Sequence, residues 1–257
     1  MSIEQIPTKA PVLNRWIYRP APRANARLRM FCFPYAGGSP SLFRSWVHAI
    51  PADVDIMGVR LPGRDNRIKE PAYSEWSALL DALEDSLPEL LTGRFVFFGH
   101  SMGAAVAYEL ARRLSAKGKP LPAHLLLAGC RAPHVPRYVP AIHHLPDEEF
   151  YEGLRDISGT PREVLEDKKF MALLAPTLRA DIQLAETWSG TAGEPLDTPI
   201  TVFAGAEDAL APPDRMPEWA CYTTGRFTAH LLPGEHFFLR TSEEALLGHI
   251  RATLESC

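Results

Sequence analysis

Gly99-His100-Ser101-Met102-Gly103 decides how this chain folds, because the residues on its two sides follow different periods. On its amino side, Arg94-Phe95-Val96-Phe97-Phe98 is short, apolar and aromatic, as a buried strand should be. On its carboxyl side, Gly103, Val106, Ala107, Leu110, Ala111 and Leu114 recur at helical spacing, with Arg112 and Arg113 on the opposite face. The pentapeptide is therefore a tight turn between a strand and a helix. A serine in such a turn is forced into a strained conformation that exposes its hydroxyl above the sheet edge, and the flanking glycines are needed because a Cβ there would meet the neighbouring strand or helix. The first turn of the following helix aims unpaired N–H groups and the positive dipole end at that hydroxyl, which favours negative charge developing there. The plain alternative is a glycine-bounded loop whose serine caps the helix.

Working outward, strands alternate with amphipathic helices. A strand candidate at Arg15-Trp16-Ile17-Tyr18 precedes a first firm strand, Leu28 to Phe33, which runs into the glycine-rich turn Pro34-Tyr35-Ala36-Gly37-Gly38-Ser39. A turn of this kind brings backbone N–H groups to the carboxyl edge of a sheet, where open α/β folds bind ligands and where an oxyanion hole would be built. A helix is expected over Ser41 to Ala49, a strand over Ile56 to Leu61, and a helix over Glu75 to Leu91 kinked at Pro88. Another strand is expected over His124 to Ala128. The alternation predicts right-handed crossovers and a mostly parallel central sheet flanked by helices.

Between Arg131 and Leu196 no strand is legible, and helices are expected over Asp147 to Ile157, Pro161 to Asp167 and Lys168 to Trp188, the last broken or bent at Pro176. An excursion of this length is usually functional. Residues 131–196 are therefore expected to form a helical lid inserted into a core of residues 1–130 and 197–257. The apolar residues of the lid, Phe170 and Leu174 among them, are expected to wall a substrate chamber. Alternation resumes with strands at Ile200-Thr201-Val202-Phe203 and Phe227 to Leu232 and a final helix over Ser242 to Leu254.

Composition limits the partners. The 257 residues suit one large α/β domain, with 46% hydrophobic and 23% charged residues and a net charge of -4, which gives no field to attract nucleic acid. No run reaches transmembrane length and residues 1–15 lack an apolar signal core, so a cytoplasmic protein with no membrane partner is expected. The four cysteines, Cys32, Cys130, Cys221 and Cys257, are far apart and show neither zinc-ligand nor redox spacing; reduced thiols are expected.

A serine hydroxyl needs a base, an imidazole is suited to that work near neutral pH, and the imidazole needs a carboxylate to fix its tautomer. In the α/β-hydrolase arrangement these groups follow the order Ser, Asp, His, each on a loop after a strand. Ser101, Asp208 and His236 satisfy both conditions. Of nine histidines only His236 follows the last strand and precedes the terminal helix; for the acid, Glu207 and Asp214 compete with Asp208.

The stretches Phe33-Pro34-Tyr35-Ala36-Gly37-Gly38-Ser39, Leu61-Pro62-Gly63-Arg64, Gly99-His100-Ser101-Met102-Gly103, Thr177-Leu178-Arg179-Ala180-Asp181 and His236-Phe237-Phe238 together resemble the type II thioesterases that accompany modular polyketide synthases and nonribosomal peptide synthetases. The resemblance covers nearly the whole chain. It implies that the N–H groups of Ala36 and Met102 form the oxyanion hole. It also implies a substrate that is a short or misprimed acyl or aminoacyl group on the phosphopantetheine arm of an acyl or peptidyl carrier protein, with no metal or cofactor. Glu235 departs from the family's usual glycine. The other readings are a medium-chain fatty acyl thioesterase, a carboxylesterase of the same fold, and a catalytically silent hydrolase-fold receptor. Arg60, Arg64 and Arg67 are candidates for contact with an acidic carrier, against the alternative that they pair with nearby acids such as Asp65 and Glu70.

Overall fold

The computed structural model describes residues 15–157, 167–190 and 193–257. Chain order runs β1 (Ile17–Tyr18), β2 (Leu28–Phe33), β3 (Val54–Val59), α1 (Trp76–Ser86), β4 (Phe95–His100), α2 (Met102–Ala116), β5 (Leu125–Ala128), α3 (Asp147–Asp156), α4 (Lys168–Thr187), β6 (Ile200–Gly205), β7 (Phe227–Leu232), α5 (Phe238–Thr241) and α6 (Glu243–Glu255). The strands form one sheet in the order β1-β3-β2-β4-β5-β6-β7, antiparallel at β1·β3 and parallel elsewhere. From β2 the chain turns first toward β3 and then back across to β4, so the strand order reverses between β2 and β4. That is where an open α/β sheet leaves a crevice at its carboxyl edge.

Alternating side chains of the strands build two cores. Phe31, Phe33, Phe95 and Phe97 pack with Leu79, Leu83 and Leu110 of α1 and α2, while Met30, Cys32, Val96 and Phe98 pack with Trp46 and with Leu246 and Ile250 of α6. A third cluster, Phe150, Leu154, Met171, Leu178 and Ile182, joins α3 to α4 between β5 and β6.

Several boundaries differ from the sequence expectation. Helix α1 ends before Pro88: the Leu87 N–H closes the last turn on Leu83, and proline disfavours a helical residue before it. Ser41 to Ala49 forms two short 3₁₀ turns, Pro40–Phe43 and Ser45–His48, the first capped by the Ser39 hydroxyl. Helix α4 continues through Pro176, which is exposed along with Ala172, so the carbonyl that loses its N–H partner is open to water. A long 3₁₀ segment, Pro213–Tyr222, was not legible in the sequence. The stretch expected as a helix from Pro161 to Asp167 lies outside the described residues except for Asp167, whose carboxylate caps α4 by accepting the N–H groups of Lys169 and Phe170 at 3.0 Å.

Candidate active site

Ser101 sits between β4 and α2 with φ 55° and ψ −121°, a left-handed conformation that is strained for a side chain with a Cβ. The strain is held by neighbours on every side. The Ser101 N–H donates to the Ala128 carbonyl at 2.8 Å, a Cβ at Gly99 would collide with the Gly103 carbonyl, and a Cβ at Gly103 would collide with the Phe33 carbonyl of β2.

The loops after β6 and β7 bring the other two groups. Asp208 is 2% exposed, and its Oδ1 accepts the backbone N–H groups of Leu210 and Ala211, both at 2.9 Å. His236 Nδ1 lies 3.0 and 2.9 Å from the two Asp208 oxygens, and its Nε2 lies 2.9 Å from the Ser101 Oγ. A carboxylate only accepts hydrogen bonds, so Nδ1 carries the proton and Nε2 presents its lone pair to the serine hydroxyl. The competing acids, Glu207 and Asp214, are both exposed. Glu235 is exposed as well, and its backbone does not require glycine, since Asp65 and Ser101 are the residues other than glycine with positive φ among those described.

His100 supports the loop from below. Its buried ring donates from Nε2 to the His236 carbonyl at 2.9 Å, and burial, followed by the nearby His236, keeps its pKa well below the ordinary histidine value. The ring is thus a neutral strut beneath His236.

A cavity of about 130 Å³ opens at Ser101 and His236, and Ala36 and Met102 line it beside them. Its far wall comes from Leu154, Ile157, Leu178, Ile182, Ala185 and Trp188. Phe170 and Leu174 are not in that wall: Phe170 is 44% exposed, and Leu174 packs against the α3·α4 cluster. They share the helical stripe of Leu178 and Ile182, but Phe170 lies twelve residues before Ile182, about 18 Å along the axis at helical rise. Periodicity identified the buried stripe but not how far along it the chamber extends. Cys130, Arg131 and Trp188, which also line the cavity, carried no sequence signal.

The three arginines are engaged internally. Arg64 is 6% exposed and pairs with Asp181 at 2.8 Å; Arg67 is buried, pairs with Glu70 at 2.8 Å and stacks 4.1 Å from the Trp16 ring centroid; Arg60 faces Asp65 at 3.6 Å. The carrier-contact expectation for Arg64 and Arg67 is therefore corrected. The main partner of Arg64, Asp181, lies 117 residues away in the sequence.

Comparisons with known proteins agree with this arrangement. The Thioesterase domain family matches residues 28–254. The gramicidin S biosynthesis protein GrsT of Aneurinibacillus migulanus is 36% identical over 235 residues, covering 91% of this chain and 92% of that protein. The solved structure of RedJ, a thioesterase from the prodiginine pathway of Streptomyces coelicolor, superposes with TM-score 0.83 at 39% identity, covering 96% of this chain and 91% of RedJ. The type II thioesterase BorB from the borrelidin biosynthetic cluster superposes with TM-score 0.83 at 33% identity, covering 91% and 96%. With a strained serine between a parallel strand and a helix and a family match spanning nearly every described element, the chain belongs to the thioesterase family of the α/β-hydrolase fold, enzymes that hydrolyse thioesters.

Proposed function

We propose that this protein is an editing thioesterase that removes short or misprimed acyl groups from the phosphopantetheine arm of acyl or peptidyl carrier proteins in polyketide or nonribosomal peptide biosynthesis. The observation that carries the chemistry is the unbroken line from Asp208 through His236 to the Ser101 Oγ, each link 2.9 to 3.0 Å. His236 Nε2 takes the Ser101 proton as Oγ attacks the thioester carbonyl, and Asp208 stabilises the imidazolium that forms. The tetrahedral oxyanion is received by the N–H groups of Ala36 and Met102, the latter at the positive end of α2. The imidazolium then protonates the departing thiol. Water, deprotonated by the same nitrogen, releases the acid from the acyl-serine.

A short acyl group fits the chamber. An apolar cavity of about 150 Å³ holds a benzene ring, so a chamber of about 130 Å³ suits an acyl group of roughly the same number of carbons. In this reading residues 131–196 act as the lid, with α3 and α4 as its chamber wall. The carrier and its pathway are inferred from the relatives' pathways. Among the described residues no helix is long and apolar enough to cross a membrane.

The test is a hydrolysis panel of acetyl, propionyl, octanoyl and aminoacyl groups on a carrier protein, with Ser101→Ala as the control. The expected result is highest kcat/KM for the short groups and a loss of about a million-fold in kcat in the variant. Preference for octanoyl would favour the medium-chain reading, and faster turnover of oxygen esters than of matched thioesters would favour a carboxylesterase.

A further inference from the structure

The Thr177-Leu178-Arg179-Ala180-Asp181 stretch, which gives Leu178 to the chamber wall, lies against two other stretches that the resemblance rests on. Tyr35 to Gly38 forms a turn closed by the Gly38 N–H on the Tyr35 carbonyl at 2.8 Å, with Gly37 at φ +73°. Positive φ at the third residue only is the mark of a type II turn. Helix α4 presses on this turn: a Cβ at Gly37 would overlap the Leu178 side chain. One helical turn further on, Asp181, 1% exposed, accepts the Gly37 N–H on Oδ2 at 2.7 Å and pairs through Oδ1 with Arg64 at 2.8 Å.

Arg64 closes the ring by donating to the Gly38 carbonyl at 3.0 Å. The same face of α4 also fastens the arginine's own loop, where the Thr177 hydroxyl donates to the Gly63 carbonyl at 2.9 Å and Gly63 has φ +80°. The loops after β2 and β3 and the middle of α4 thus meet in one buried polar junction. It grips the turn on both sides of the peptide that follows Ala36. If the Ala36–Gly37 peptide flipped, the Ala36 carbonyl would face the Asp181 carboxylate.

We propose that Asp181 is a positioning residue for the oxyanion hole: by accepting the Gly37 N–H while paired with Arg64, it holds the turn that presents the Ala36 N–H to the reacting carbonyl. This rests on the proposed roles of Ser101 and Ala36. It also makes the middle of α4 a fixed wall that sets the oxyanion hole.

The test uses two variants of the full chain. In Asp181→Asn the side chain keeps one oxygen for two donors, so either Gly37 or Arg64 loses its acceptor. In the double variant Asp181→Leu/Arg64→Met the buried charges leave together, which spares the fold the cost of an unpaired ion. Each is assayed well below its melting temperature, for kcat and KM on a small acyl thioester and for the rate at which a fluorophosphonate labels Ser101. The label also develops an oxyanion at the hole but does not depend on the natural substrate.

The expected result is a fall of roughly a hundred- to a thousand-fold in kcat, as for loss of an oxyanion donor, with KM within about threefold and labelling slowed in parallel. The double variant is expected to recover thermal stability without recovering kcat. Recovery of kcat together with stability, or kcat unchanged in folded Asp181→Asn, would overturn the proposal. A wild-type protein that labels rapidly but hydrolyses no thioester would instead overturn the functional reading, and the labelling rates would still decide the role of Asp181.

Discussion

Replacing Asp208 by asparagine tests the acid assignment, and the structure determines which way the new amide must sit. Oδ1 accepts two backbone N–H groups at 2.9 Å, from Leu210 and Ala211, so an amide nitrogen at that place would face two donors. The carbonyl oxygen therefore stays at Oδ1, 3.0 Å from His236 Nδ1, and the NH₂ replaces Oδ2, 2.9 Å from the same nitrogen. Oδ1 already accepts two backbone N–H groups, so Nδ1 pairs best by accepting from the nearer NH₂; the ring proton then moves to Nε2, and Nε2 donates to Ser101 where it has to accept. Restoring the useful tautomer would set two buried donors against each other, at about 1–3 kcal/mol for each lost partner, and the imidazolium would lose its counter-charge as well. Together these reach about 5 kcal/mol, equivalent to a fall of roughly ten-thousand-fold in kcat. Because both backbone bonds survive, the melting temperature is expected to stay within a few degrees. Thiol release from a small acyl thioester, followed under single-turnover conditions, measures the effect. A folded Asp208→Asn enzyme retaining kcat within about tenfold of wild type would refute the reasoning and make exposed Glu207 the next acid to test.

Ala185→Phe puts a ring into a chamber about the size of one, so kcat/KM should shift toward acetyl, by roughly fourfold for each methylene excluded at about 0.8 kcal/mol; an unchanged chain-length profile would show that this wall does not bound the substrate. Gly103→Ala drives a Cβ into the Phe33 and Pro34 carbonyls, which are backbone atoms unable to swing away, and a loss of about 3 kcal/mol, on the order of 10 °C in melting temperature, is expected from thermal unfolding. Buried His124 has its pKa lowered to about 4 by burial, with the Arg226 charge adding to it. Between about pH 6.5 and 4 the unfolded chain therefore binds a proton that the native state refuses, and stability falls as pH falls. The contribution is about 2 kcal/mol at pH 5, so urea unfolding of His124→Gln should show a pH 7-to-5 loss smaller by that amount, and an equal loss in both proteins would refute it.

What the sequence by itself determined was whatever depends on neighbours along the chain. The change from a strand to a helical period across residues 94–114, the glycines at 99 and 103, and the order Ser101, Asp208, His236, each after a strand, were enough for the fold and for the groups that meet at the site, because strand, turn and helix preferences act over a few residues and parallel connections leave few ways to arrange them. The end of α1 before Pro88 and the unbroken course of α4 through Pro176 turned on packing and exposure, which a local pattern does not contain. Tertiary structure alone decided that Leu178 and Ile182, and not Phe170 and Leu174, wall the chamber, since helical period gives a face but not an axial position. It alone decided, too, that Arg64 turns inward to Asp181. An arginine beside acids in sequence looks like a surface charge, and only the fold, by burying a carboxylate from a helix more than a hundred residues away, gives that charge a reason to leave water.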